Sequence, residues 1–160
     1  MSQKFTLIVL MLLLFYSSLV MGSCKSETSQ VAASEALESL RKMSGEVKTN
    51  LTLQEYRTRL SSMKAEVEKK QTQIPEGELK TQINRAKSAY IDAERYWTGL
   101  EKNKSLTMTG NEAAAVEKAI KAYNIPANEI NPSDIASSAR YIWGAADKYI
   151  ERATELNSKR

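Results

Sequence analysis

Apolar side chains run almost unbroken from Phe5 to Met21, interrupted only by Thr6, Ser17 and Ser18. Beyond that run they recur at steps of three and four residues, the period of one face of an α-helix. The first such stretch spans about Ser29 to Ser44, with Ala33, Leu37, Leu40 and Val47 near one face and Gly45 as a stop. Thr52 and Glu55 then form a capping box, in which each side chain can satisfy a free backbone N–H of the other's residue. The helix it opens carries Leu53, Tyr56, Leu60, Met63, Val67 and Ile74 in a narrow stripe, with Lys70 at one of its positions. A narrow stripe covers one seam and leaves the remaining faces to solvent. The segment Ile74-Pro75-Glu76-Gly77 ends that helix.

A third helix, about Glu76 to Asn103, repeats the spacing with Leu79, Ile83, Ala86, Tyr90, Ala93, Trp97 and Leu100. A polar loop follows to Gly110. Thr109 or Asn111 then caps an Ala-rich helix bearing Val116, Ala119, Ile120 and Tyr123. After a second loop, Asn131 as N-cap with Pro132 in the first helical position predicts the start of the last helix, which runs to about Asn157. Its apolar residues fall in three columns: Ile135, Ile142 and Tyr149; Ala139, Ala146 and Ala153; Ala136, Trp143 and Ile150. Three adjacent columns make this the helix expected to be most buried. No segment alternates with period two over strand length. The chain is therefore expected to be all-α, an up-and-down antiparallel bundle of four to five helices with shallow crossings.

The first apolar run changes the picture of where the chain works. Lys4 precedes it, and the small residues Gly22 and Ser23 lead from it to Cys24, the chain's one cysteine. A positive start, an apolar core and a small-residue exit describe a secretory signal peptide. The segment Val20-Met21-Gly22-Ser23-Cys24 resembles the cleavage region of bacterial lipoprotein precursors of the signal-peptidase-II type, with Met21 where that family favours Leu. The resemblance implies that Cys24 becomes the first mature residue and carries acyl chains that hold the protein on a membrane. Two or more chains anchor firmly, at about 0.8 kcal/mol per buried methylene. In Gram-negative members Asp after the cysteine favours the inner membrane, so Lys25 implies the outer membrane, facing the periplasm. The alternative is an ordinary signal cleaved after Gly22 or Ser23, leaving a free thiol. The expected organisation is a signal peptide over 1–23, a lipidated cysteine and polar flexible tether over 24–30, and a bundle domain over 31–160.

Composition removes several kinds of chemistry. The 160 residues include no His, which excludes an imidazole base, a Ser-His pair and a His metal ligand. One Cys permits neither an internal disulfide nor a thiolate zinc cluster. The 23 basic and 19 acidic side chains are interspersed, with no basic run, so nucleic acid is not an expected partner. Paired carboxylates remain the one hydrolytic route, yet most acids here alternate with Lys or Arg on solvated faces. No enzyme activity, metal or cofactor is expected.

The aromatic residues are the remaining candidates. Tyr90, Tyr96, Trp97, Tyr141, Trp143 and Tyr149 lie on the third and last helices. They could line a pocket for an apolar or sugar ligand. The seven-residue columns account for Tyr90, Trp97, Trp143 and Tyr149 as core, which leaves Tyr96 and Tyr141 as surface residues. Tyr96, Tyr141, Trp97 and Trp143 together are the candidate ligand or partner surface. Gly99 and Gly144 each follow a Trp within a helix, where Gly costs about 1 kcal/mol against Ala. A close helix contact or a cavity wall would account for them, and close packing is the expected reason for both, since the flanking indole needs room. The sequence thus points to a non-catalytic, lipid-anchored, extracytoplasmic bundle that presents a surface to an envelope protein or cell-wall partner. The alternative is a module holding a small apolar ligand between the aromatic helices. Spacing sets no oligomeric state.

Overall fold

Residues 27–30 are too polar for an apolar stripe, yet they form the first turn of a helix and not part of a flexible tether. In the computed structural model, which describes residues 27–49, 51–104, 107, 109–131 and 133–159, helix α1 runs over 27–46. The expected signal peptide, Cys24 and Pro132 lie outside the described residues. The first turn of α1 is docked on the chain's far end. Ser29 is buried, Gln30 Nε2 donates to the Asn157 carbonyl (3.3 Å), and Asn157 Nδ2 donates to Ser34 Oγ (2.9 Å). Gly45 sits inside the last turn of α1, and the chain leaves the helix after residue 46.

Helix α2, Leu53–Gln71, begins at the expected capping box: Thr52 Oγ1 accepts from Glu55 N–H, and the Glu55 carboxylate accepts from Thr52 N–H (2.8 Å). Its buried residues are Tyr56, Leu60, Met63 and Val67. Lys70, the charged intruder in that stripe, ion-pairs with Glu35 of α1, so its methylene stem can cover the seam while its charge is met. Buried Ile74 plugs the following turn. Gly77 there adopts φ +147°, a conformation that side-chain-bearing residues avoid. Helix α3 spans Glu78–Lys104, α4 Gly110–Tyr123 and α5 Ile135–Ser158, with one 3-10 turn at Ala127–Glu129 between the last two.

The pairings between neighbouring helices run in opposite senses. Glu35 and Glu46 of α1 meet Lys70 and Arg59 of α2. Arg57 and Gln71 of α2 meet Glu94 and Asn84 of α3. Arg41 and Ser44 of α1 meet Thr154 and Asp147 of α5. The structure is an all-α bundle in which α1, α2, α3 and α5 form an antiparallel up-and-down core, and α4 is laid outside α3 and α5 within their connection. Among the described residues no helix is long and apolar enough to cross a membrane.

Two sequence expectations need correction. The last helix starts at Ile135 with Asp134 as its N-cap, whose carboxylate accepts from Ser137 N–H (3.2 Å). Asn131 instead closes a short turn by accepting from Ser133 N–H (2.9 Å). The last helix is not the most buried: α3 buries eleven of its 27 residues and α5 nine of its 24, and each packs against three others, α3 against α2, α4 and α5 and α5 against α1, α3 and α4.

The start of α4 depends on one carboxylate. Glu112 accepts from the N–H of Thr109 (2.8 Å) and from its hydroxyl (2.9 Å), and it ion-pairs with Lys102 at the end of α3. Lys102 first and Thr109 second lower its pKa from the ordinary 4.5 to about 2. A folded pKa depressed in this way contributes stability that is present above pH 4.5 and is lost as pH falls toward 2. Acid titration followed by far-UV circular dichroism should therefore show wild type losing stability across that window. Glu112→Gln should start lower and lack this component, so that the two curves converge below it.

Candidate functional site

The aromatic residues divide into an inner cluster and an outer groove. Tyr56, Trp97 and Trp143 pack on one another, with ring centroids 5.7, 6.1 and 6.2 Å apart. The Tyr56 hydroxyl donates to the Tyr90 carbonyl (2.9 Å) and accepts from Trp143 Nε1 (3.4 Å). Trp97 and Trp143 are 7% and 9% exposed, so both belong to the core and not to an outer surface. Tyr96, expected at the surface, is fully buried. Its hydroxyl lies toward Ser138 without a hydrogen bond of good geometry, and burial pushes its pKa up. The Ser138 hydroxyl donates instead to the Ile135 carbonyl (3.1 Å). Of the four candidates only Tyr141 remains half-exposed. Tyr56 was legible only as a stripe residue; nothing local marks it as the contact between the two indoles.

The outer groove lies where α4 ends against α5. Asn124 caps α4 in the left-handed conformation (φ 50°), a role that suits Asn, and Ile125 turns inward to be buried. The chain therefore leaves α4 abruptly, with Tyr123 and Asn124 at the rim. Opposite them α5 presents Arg140, Tyr141, Gly144, Ala145, Lys148 and Tyr149 around a hollow of about 550 Å³. A second hollow, of about 320 Å³, continues on the other side of Tyr123 and Tyr149, toward Thr81, Asn84, Arg85 and Ser88 of α3.

Gly144 is among the residues that line the first hollow. A Cβ built there meets nothing within 4 Å, so no neighbouring helix requires the glycine. This corrects the expectation of close packing at that position. Gly99 does meet it: a Cβ would stand 2.5 Å from Val116 Cγ2 and 3.2 Å from the Glu112 carbonyl oxygen of α4.

The groove's charge is one-sided. Arg140 lies 5.5 Å from the centre of the Tyr141 ring and Arg85 6.0 Å from that of Tyr149, both within cation–π range. Tyr141 first and Glu129 second hold Arg140 more firmly protonated, and Glu129 pairs with it at 2.8 Å. Among the described residues Arg85 and Lys148 have no carboxylate within ion-pair distance. Tyr123 donates to Asp92 Oδ2 (2.9 Å); burial, followed by that carboxylate, pushes its pKa up. The hollow between α1 and α5 is different. There Arg41 and Lys48 share the walls with Asp147, Glu151 and Glu155, and Ser44 Oγ donates to Asp147 Oδ1 (2.6 Å). Its polar groups largely answer one another. Among the described residues no cluster of three or more acidic or thiol side chains is placed to hold a metal ion. No protein-family model, curated protein or solved structure matches this chain.

Proposed function

We propose that the chain is a lipid-anchored, extracytoplasmic lipoprotein whose non-catalytic helical bundle presents the Tyr123, Tyr141 and Tyr149 groove to a partner in the cell envelope. The observation that carries this reading is Gly144. A glycine in a helix interior costs about 1 kcal/mol against alanine, and the space above it is open. Gly144 shares its hollow with Tyr123, Tyr141, Tyr149, Arg140 and Lys148, and the open space at it leaves room there for an occupant.

The anchor rests on the apolar run that ends at Gly22-Ser23-Cys24. Cys24 precedes the docked first turn of α1 by three positions, a span of at most about 10 Å. Acyl chains on Cys24 would then hold the end of the bundle formed by the start of α1 and the close of α5 against the lipid surface. Gly144 is thirteen positions before Asn157 along α5, so the groove opens about 20 Å above that end. If the cell is Gram-negative, Lys25 after the cysteine, where similar lipoproteins retained in the inner membrane have Asp, supports an outer-membrane anchor with the groove facing the periplasm.

Membrane fractionation with intact mass, on wild type and Cys24→Ala, tests the anchor. Wild type is expected in the membrane fraction, beginning at Cys24 and carrying acyl mass, with the variant released. A soluble, unmodified wild type would leave a secreted bundle with a free thiol, and the lipoprotein reading would fail.

A further inference from the structure

We propose that α4 is a strap that opens as a unit, between Lys104 and Asn124, while the antiparallel core of α1, α2, α3 and α5 stays folded. Tyr123 and Asn124 line the hollow beside Tyr141 and Tyr149, so opening takes one wall of the groove away. The device is built into the fold and requires neither the anchor nor a partner. An occupant of the groove that touched Tyr123 would hold the strap shut, because it would bind the closed state and not the open one.

Four observations single out α4. First, it buries Ala119 alone, whereas α2, the least buried helix of the core, buries Tyr56, Leu60, Met63 and Val67. Val116, Ile120 and Tyr123 are only half-buried. Local opening costs least where the least apolar surface is covered. Second, polar contacts hold its two ends: Glu112 with Thr109 and Lys102, and Tyr123 with Asp92. The Glu112 contacts are exposed, and such contacts give way to water at little cost. Third, the face of α3 beneath it is not an apolar seam. Asp92, Tyr96 and Gly99 follow one another at steps of four and three residues, so they share one side of α3. Gly99 opposes Val116 and Glu112, and Asp92 opposes Tyr123. Tyr96 stands between them, its buried hydroxyl without a hydrogen-bond partner from the protein. Opening gives water to that hydroxyl and to the Asp92 carboxylate, which offsets part of the cost of the apolar surface exposed. Fourth, the far end has a natural boundary. Asn124 leaves the helix in the left-handed conformation, and Ile125 just beyond it is buried and stays with the core.

Native-state hydrogen exchange of the full chain tests the strap, on wild type and on Tyr56→Phe. The hydrogen-bonded amides of α4, residues 113–123, are expected to exchange together. Their rate should exceed that of the buried stretches of α3 and α5 by about a hundredfold or more. Their dependence on added urea should be shallower too, since opening α4 exposes less surface than global unfolding does. Tyr56 packs within the core that stays folded when α4 opens. Tyr56→Phe should therefore speed exchange in α3 and α5 about tenfold, the equivalent of one buried hydrogen bond, and leave α4 unchanged. Three results would overturn the proposal: α4 exchanging at the rate of α3 and α5, its amides each exchanging at a separate rate, or α4 speeding up with the core in Tyr56→Phe. The wild-type comparison is decisive alone, so a variant that failed to fold would not shield the proposal.

Discussion

Tyr56→Ala is expected to destabilise the bundle by about 3–5 kcal/mol, the range for truncating a large buried aromatic. The tyrosine is 0% exposed and touches both indoles. It is also the main fastening of α2, whose remaining buried residues are Leu60, Met63 and Val67 on a single narrow stripe. Truncation leaves a cavity between α2, α3 and α5 and deprives Trp143 Nε1 of its acceptor. Tyr56→Phe keeps the ring and loses only the hydroxyl, so about 1–2 kcal/mol should go. Urea titration reads both values. An unchanged slope would confirm that the same surface is exposed on unfolding. Tryptophan emission offers a second readout, because Trp97 and Trp143 both pack on this ring and should shift to the red in the alanine variant. A cost below about 1 kcal/mol for Tyr56→Ala would mean that the cluster does not hold α2 in place.

The two helix-interior glycines should respond to alanine with opposite signs. At Gly99 the new methyl would stand 2.5 Å from Val116 Cγ2 and 3.2 Å from the Glu112 carbonyl oxygen. Val116 is β-branched and stiff, and the carbonyl belongs to the backbone of α4, so α4 itself must move outward. Overpacking costs about 1–3 kcal/mol and the gain in helix propensity returns about 1, leaving Gly99→Ala destabilised by up to about 2 kcal/mol. At Gly144 no atom lies within 4 Å of the added methyl. Gly144→Ala should therefore be stabilised by up to about 1 kcal/mol. Thermal unfolding of the two variants beside wild type decides the matter. Matching signs would show that the local helix, and not the approach of α4, governs both positions.

These glycines also mark how far local sequence reaches. Both follow a Trp inside an amphipathic helix, and the same expectation of close packing was met at one and reversed at the other. Nothing within several residues of Gly144 differs enough to show that α4 stops short of it. Tyr96 follows the same logic. Its position beside the main stripe of α3 reads as surface, but α3 is flanked by α2, α4 and α5, and that wider contact arc swallows it. Residues 27–30 read as tether because their partner, Asn157, is more than a hundred residues away.

The sequence by itself determined the all-α class and the capped start of α2, limited the helices to four or five, and narrowed the cap of α4 to Thr109 or Asn111. Each of these depends on residues three or four apart, which meet whenever the segment is helical. It also marked the apolar run that ends at Cys24. Tertiary structure alone decided which aromatics face inward, that Tyr56 joins the two indoles, and that Arg85, Tyr123 and Tyr149 from three helices share one groove. The physical reason is that periodicity tells a helix which face is apolar but not how many neighbours that face will meet. Burial at the edges of a stripe, and every site built between helices, is set by the packing of the others around it.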